Sequence, residues 1–151
     1  MRHHLRTWLL VSLIVLVADT AFAQDLQKQG LRALSAWTNQ SGSTLYIDAV
    51  APSGQLTGSY INRAQGFGCQ NTAYPVTGWV YGTAITFTVL WENAVESCNS
   101  ITSWTGFYFQ GTITTLWQLV INGSTSPQQI AQGSDVFQPT AQKKSPSLRS
   151  K

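Results

Sequence analysis

Histidine occurs only as His3 and His4, so from residue 5 onward there is no imidazole for general acid–base work or metal ligation. Hydrolytic arrangements that need a histidine base are excluded with it. Cysteine occurs twice, at Cys69 and Cys98, too few for a zinc set, and no metal or other cofactor is expected. Charge is equally scarce: 10% of residues are Asp, Glu, Lys or Arg, against about 25% in an ordinary soluble domain. Lys143, Lys144, Arg149 and Lys151 crowd the last eleven residues. Residues 24–140 hold Lys28, Arg32 and Arg63 against Asp25, Asp48, Glu92, Glu96 and Asp135, a balance of −2. The formal charge of +3 is therefore a property of the C-terminal end, and no basic face is left to meet phosphates. A nucleic-acid partner is not expected.

Long apolar runs are also missing after residue 17, and the one before it is short. Arg2 and Arg6 precede the apolar stretch 8–17, and Ala21-Phe22-Ala23 supplies small residues of the kind a signal peptidase accepts. A membrane anchor needs roughly 20 apolar residues, whereas here Asp19 follows the run closely. Residues 1–23 are expected to be a signal peptide, the product to be secreted or periplasmic, and no membrane association to remain. The 128 residues after Ala23 suit one domain, over 24–140. Residues 141–151 are polar, basic and interrupted by Pro146, and they read as a disordered tail. In an exported chain Cys69 and Cys98 are expected to pair. Two free buried thiols are the alternative.

What the chain does have is β-rich segments at regular spacing, separated by Gly, Pro, Asn and Ser. Strands are expected over 36–39, 43–50, 55–63, 74–81, 84–91, 102–109, 112–121 and 135–138. In the second of these Leu45, Ile47 and Ala49 would share one face, and Thr44, Tyr46 and Asp48 the other. Gly82 and Gly111 mark tight reversals, while 64–73 and 93–99 are longer connections that carry the two cysteines. If these lie side by side, a disulfide staples one end. An all-β, eight-stranded antiparallel meander of this size can close into an up-and-down β-barrel able to hold one small ligand. A two-sheet sandwich is the competing architecture.

The second abundance is aromatic. Trp37, Trp79, Trp91, Trp104 and Trp117 fall within 81 residues, a density that means core or a site for a flat ligand. Beside them, at expected strand ends, stand Asn39, Ser43, Tyr60, Asn62, Ser100, Thr102 and Asp135. Such groups stay buried only if something hydrogen-bonds them. Two other classes of function compete. Trp91, Trp104 and Trp117 could form a sugar platform in a carbohydrate-binding module, and Glu92 with Glu96 could be a glycosidase carboxylate pair. A solvated connection explains the two glutamates better.

Six segments in order resemble the avidins, the biotin-binding family. They are Trp37-Thr38-Asn39-Gln40-Ser41-Gly42-Ser43, Leu56-Thr57-Gly58-Ser59-Tyr60, Thr88-Val89-Leu90-Trp91, Ser100-Ile101-Thr102-Ser103-Trp104-Thr105-Gly106, Thr115-Leu116-Trp117 and Gly133-Ser134-Asp135-Val136-Phe137. The run 60–66 followed by Gly68-Cys69-Gln70-Asn71 is similar to the dimeric bacterial avidins of the rhizavidin type, whose pattern includes the paired cysteines. The resemblance implies an avidin-like barrel, high-affinity non-covalent biotin binding and no catalysis. It also implies roles. Asn39, Ser43 and Tyr60 would donate to the ureido oxygen of biotin, and Asp135 and Asn62 would receive its two N–H groups. Thr102 would face the ring sulfur. Ser100 and backbone near Ala64 would meet the valerate carboxylate, with Trp91, Trp104 and Trp117 as walls and Phe67 near the entrance.

Two features depart from the tetrameric avidins, which cover the ligand with a tryptophan from a neighbouring subunit. Residues 122–134 contain none, so the loop around Cys69 is expected to replace that lid and the protein to be a homodimer. Asn62 stands where tetrameric members have a small hydroxyl residue.

Overall fold

The computed structural model of the chain describes residue 31 and residues 33–141. The leader expected over 1–23, and the tail beyond residue 141, lie outside the described residues. Eight strands follow one another: β1 (Ser35–Asn39), β2 (Thr44–Val50), β3 (Gln55–Ile61), β4 (Ala73–Tyr81), β5 (Ala84–Glu92), β6 (Ser97–Phe109), β7 (Thr112–Ile121) and β8 (Ala131–Pro139). Each pairs antiparallel with the next, and β1 pairs with β8, so the sheet closes into an up-and-down barrel with no free edge. Closure rules out the sandwich.

Two-residue periodicity explains which side chains face inward. Along β5, Ile85, Phe87, Val89 and Trp91 are buried while Ala84, Leu90 and Glu92 are exposed. With Leu45, Ile47, Leu56, Tyr74, Val76, Ile113 and Phe137 they form one core, each large side chain contributing about 1.5–3 kcal/mol on burial. Leu31, ahead of β1, is 1% exposed and belongs to the same core.

Four local expectations are corrected. In β2 the register against β3 shifts between Ile47 and Ala49, a bulge that reverses the alternation. Ala49 is therefore exposed, and Val50 packs against the core in its place. Strand β6 begins at Ser97, five residues earlier than expected, because Glu92 pairs with Ser97 across a short connection. Cys98 is thus a strand residue. β8 begins at Ala131, since Leu119 of β7 already pairs there. β3 ends at Ile61, after which Asn62 makes a lone parallel bridge to Gln70.

Trp79 faces outward and is 53% exposed, so it belongs to neither the core nor the barrel interior.

Candidate ligand-binding site

The turn between β1 and β2, the loop between β3 and β4, and the β5–β6 and β7–β8 connections all lie at one end of the barrel, which follows from the pairing. At this end opens a cavity of about 310 Å³, within the range of small-molecule pockets. It brings together all eleven residues singled out in the sequence: Asn39, Ser43, Tyr60, Asn62, Ala64, Trp91, Ser100, Thr102, Trp104, Trp117 and Asp135.

The wall is aromatic. Trp104 stacks on Phe87 with centroids 4.9 Å apart, and Tyr60 lies 4.9 Å from Trp104 at a tilt. Trp91 stands at 66° to Trp104. The rings thus form a box rather than the coplanar, exposed surface a sugar platform requires. Trp117 of β7 sits opposite Gly133 of β8. A Cβ at Gly133 would come within 2.5 Å of the Trp117 indole, so only glycine leaves that ring its place. Phe67 meets Trp117 edge-on at 6.2 Å, on the rim of the cavity.

The polar floor is organised around Asp135, the one formal charge lining the cavity among the described residues. Its Oδ1 accepts from Asn39 Nδ2 and Gln40 Nε2, both at 2.9 Å, and its Oδ2 accepts from Trp104 Nε1 at 2.8 Å. Asn39 Oδ1 takes the backbone N–H groups of Ser41 and Ser43, fixing the turn. Trp91 Nε1 donates to Thr102 Oγ1 at 2.7 Å, which leaves the Thr102 hydroxyl hydrogen free to point elsewhere. Burial, and secondarily the Asp135 charge, holds the Tyr60 phenol well above its ordinary value, with the Ser43 hydroxyl opposing. Tyr60 therefore remains an O–H donor throughout the neutral range.

Asn62 is turned mainly toward its own loop. Its Nδ2 donates to Gly68 O at 2.8 Å, while Oδ1 accepts from Ala64 N at 2.9 Å and Ser43 Oγ at 3.3 Å. The buried polar atoms thus satisfy one another to a degree that the sequence does not foretell. Low dielectric makes any unpaired group costly, so a pre-formed network is the cheaper arrangement.

Cys69 and Cys98 form a disulfide with Cα atoms 6.0 Å apart, tying the 62–72 loop to β6. Cys69 has a left-handed backbone, φ 54°, and its N–H donates to Glu96 Oε1 at 3.2 Å. Glu96 also accepts from Tyr74 Oη through its carbonyl. Neither Glu92 nor Glu96 lines the cavity, and both are exposed, so the glycosidase reading has no site.

Sequence reasoning missed Gln40, Leu119 and Ile121, all of which line the cavity. Leu119 and Ile121 continue the inward alternation of Trp117 along β7 and are legible from it. Gln40 is an exposed turn amide with no such signal.

Residues 27–140 match the model of the avidin family. Afifavidin of Afifella pfennigii is 44% identical over 136 residues, which is 83% of this chain and 84% of that protein. The crystal structure of a shwanavidin variant in complex with biotin superposes with a TM-score of 0.71 at 65% identity, covering 73% of this chain and 97% of that one. The rhizavidin–biotin complex superposes with a TM-score of 0.64 at 50% identity, covering 70% and 91% respectively.

Proposed function

The chain belongs to the avidin family, and from that premise we propose that its cavity takes biotin, tightly and without catalysis. The observation that carries this is the convergence of Asn39, Ser43, Tyr60 and Asp135 on one tryptophan-walled cup. Donors with a carboxylate beside them suit a cyclic urea, whose carbonyl accepts and whose adjacent N–H groups donate. Charge-assisted bonds of the second kind are the stronger. In this reading Tyr60, Ser43 and Asn39 serve the ureido oxygen, and Asp135 Oδ2 serves an N–H group. Asn62 serves the other N–H through Oδ1, in competition with the bonds it already accepts. Thr102 faces the ring sulfur, while Ser100 and the backbone at Ala64 meet the carboxylate. Because strands and the disulfide hold these groups in place, little ordering entropy is lost on binding. Non-covalent affinity saturates at about −18 to −21 kcal/mol, a limit that the biotin–streptavidin pair reaches, and a pre-formed cup of this chemistry is built to approach it.

Phe67 and its disulfide-tethered loop act as the lid in the same reading, supported by the edge contact with Trp117. The protein is a homodimer whose interface is the outer face of β5–β8. Leu90, Ile101 and Val120 lie side by side across three strands there, as do Phe107, Thr114 and Val136. From Ser97 to Ala141 the one charged residue is Asp135, which is buried, so the β6–β8 part of this face carries no charge to keep a second copy away. Export through the 1–23 leader completes the proposal, in keeping with a disulfide.

Titration with biotin, followed by tryptophan fluorescence and melting temperature, tests the ligand. Trp91, Trp104 and Trp117 line the cup, so emission should change at one equivalent per chain, and the melting temperature should rise with excess ligand. Neither signal moving at a several-fold excess would exclude biotin.

A further inference from the structure

We propose that Gln40 is a positioning residue for the ligand-facing carboxylate, an inference that rests on the biotin reading above. Gln40 sits in the β1–β2 turn and its side chain is exposed, yet every polar atom of its carboxamide is engaged. Nε2 donates to Ser134 O at 3.1 Å and to Asp135 Oδ1 at 2.9 Å, while Oε1 accepts the Val136 N–H at 3.0 Å. The last backbone pair between β1 and β8 is Asn39 with Phe137. The Gln40 amide therefore continues that ladder by one peptide-like step, engaging the carbonyl and N–H on either side of Asp135. A glutamine chain at an exposed position loses substantial rotamer freedom when held this way, so three simultaneous bonds mark a specific fit.

The consequence lies in how the carboxylate is divided. Oδ1 accepts from both Asn39 and Gln40, whereas among the described residues Oδ2 accepts from Trp104 alone. With Oδ1 occupied twice, the remaining lone pair of Oδ2 is the acceptor left for a ligand N–H. Gln40 thereby adds a second restraint to the oxygen that Asn39 already holds and couples the carboxylate to the turn that carries Asn39 and Ser43. Without Gln40, one donor to each oxygen remains, Asn39 on Oδ1 and Trp104 on Oδ2, so the terminal torsion is less tightly held and Oδ1 regains a lone pair.

A double-mutant cycle on biotin dissociation tests this. The full-length wild type is measured first, then Gln40→Ala, Asp135→Ala and the double variant, with unliganded melting temperatures alongside. Gln40→Ala should speed dissociation about tenfold, the scale expected for losing a hydrogen bond to a charged group. The same substitution should add little in the Asp135→Ala background, because its target is gone. Gln40→Glu separates the roles, since it keeps an acceptor for Val136 N–H but sets a carboxylate against Asp135. It should bind at least as poorly as Gln40→Ala, because a like charge now stands where the amide donated to Oδ1. An unchanged rate in Gln40→Ala, or equal acceleration in both backgrounds, would overturn the positioning role while leaving biotin binding intact. A wild type indifferent to biotin would instead overturn the functional reading and this inference with it.

Discussion

At the scale of single residues the protein concentrates its electrostatics in one buried carboxylate. Asp135 is 6% exposed and holds three hydrogen bonds. Removing one partner of a buried, hydrogen-bonded charged contact costs roughly 2–5 kcal/mol. Asp135→Ala should therefore accelerate biotin release by about 30-fold or more, and by more than any substitution in the 62–72 loop. Exchange against labelled biotin measures the rate. Tyr60 gives a second test at this scale. Its phenol is raised above the ordinary tyrosine value by burial, so the folded state resists ionising it. Its contribution to stability is complete below about pH 10 and is lost as pH climbs further, because the unfolded chain ionises first. Tyr74, raised by burial and by Glu96, acts in the same direction. Denaturant unfolding between about pH 9 and about pH 11.5 should show a falling wild-type stability, with a shallower decline in Tyr60→Phe that Tyr74 keeps from vanishing.

At the scale of elements, the disulfide does what an extra strand pairing would do elsewhere. The 62–72 loop has a lone bridge at Asn62–Gln70 in place of a ladder, and its order depends on Asn62, on Glu96 and on the Cys69–Cys98 bond. Closing 29 residues of sequence corresponds to about 3–4 kcal/mol in the chain-entropy description. Replacing both cysteines by serine should lower unfolding free energy by about 2–5 kcal/mol. It should also shorten the residence time of biotin, since Phe67 rides on the released loop. Equal residence times for the two proteins would detach the lid from the disulfide. The same element shows where the sequence stops being legible. A strand start at Ser97 is hidden because Ser97, Asn99 and Ser100 look like loop residues, although cross-strand pairing with Glu92 and Ile121 makes them strand. The β2 bulge is equally invisible, because a one-residue slip leaves no compositional mark.

At the scale of the whole molecule the distribution of charge decides what the barrel can meet. A face with exposed Leu90, Ile101, Phe107, Leu116, Val120 and Val136, and no charge on its β6–β8 part, favours a like face over water. Leu116 is 71% exposed near its centre. Leu116→Arg should convert a dimer to a monomer in native mass spectrometry, since two copies of the new charge would face each other across a two-fold axis. A monomeric wild type would remove the proposed interface outright.

The sequence alone determined the class of fold and much of the lining of the cavity. Two-residue alternation, turn residues at regular intervals and a short list of buried polar types each act locally, and local chemistry is written in neighbouring residues. That chemistry, with the six family-like segments, suffices to single out eleven of the residues that line the cavity. Only the tertiary structure decided how they divide the work. That Asn62 braces its loop depends on the path of that loop, and that Glu96 holds Cys69 and Gln40 clamps Asp135 depends on atoms that the closed barrel brings together from positions 27 and 95 residues apart. Hydrogen bonds are short and directional, so which donor meets which acceptor is settled by the register of the closed sheet.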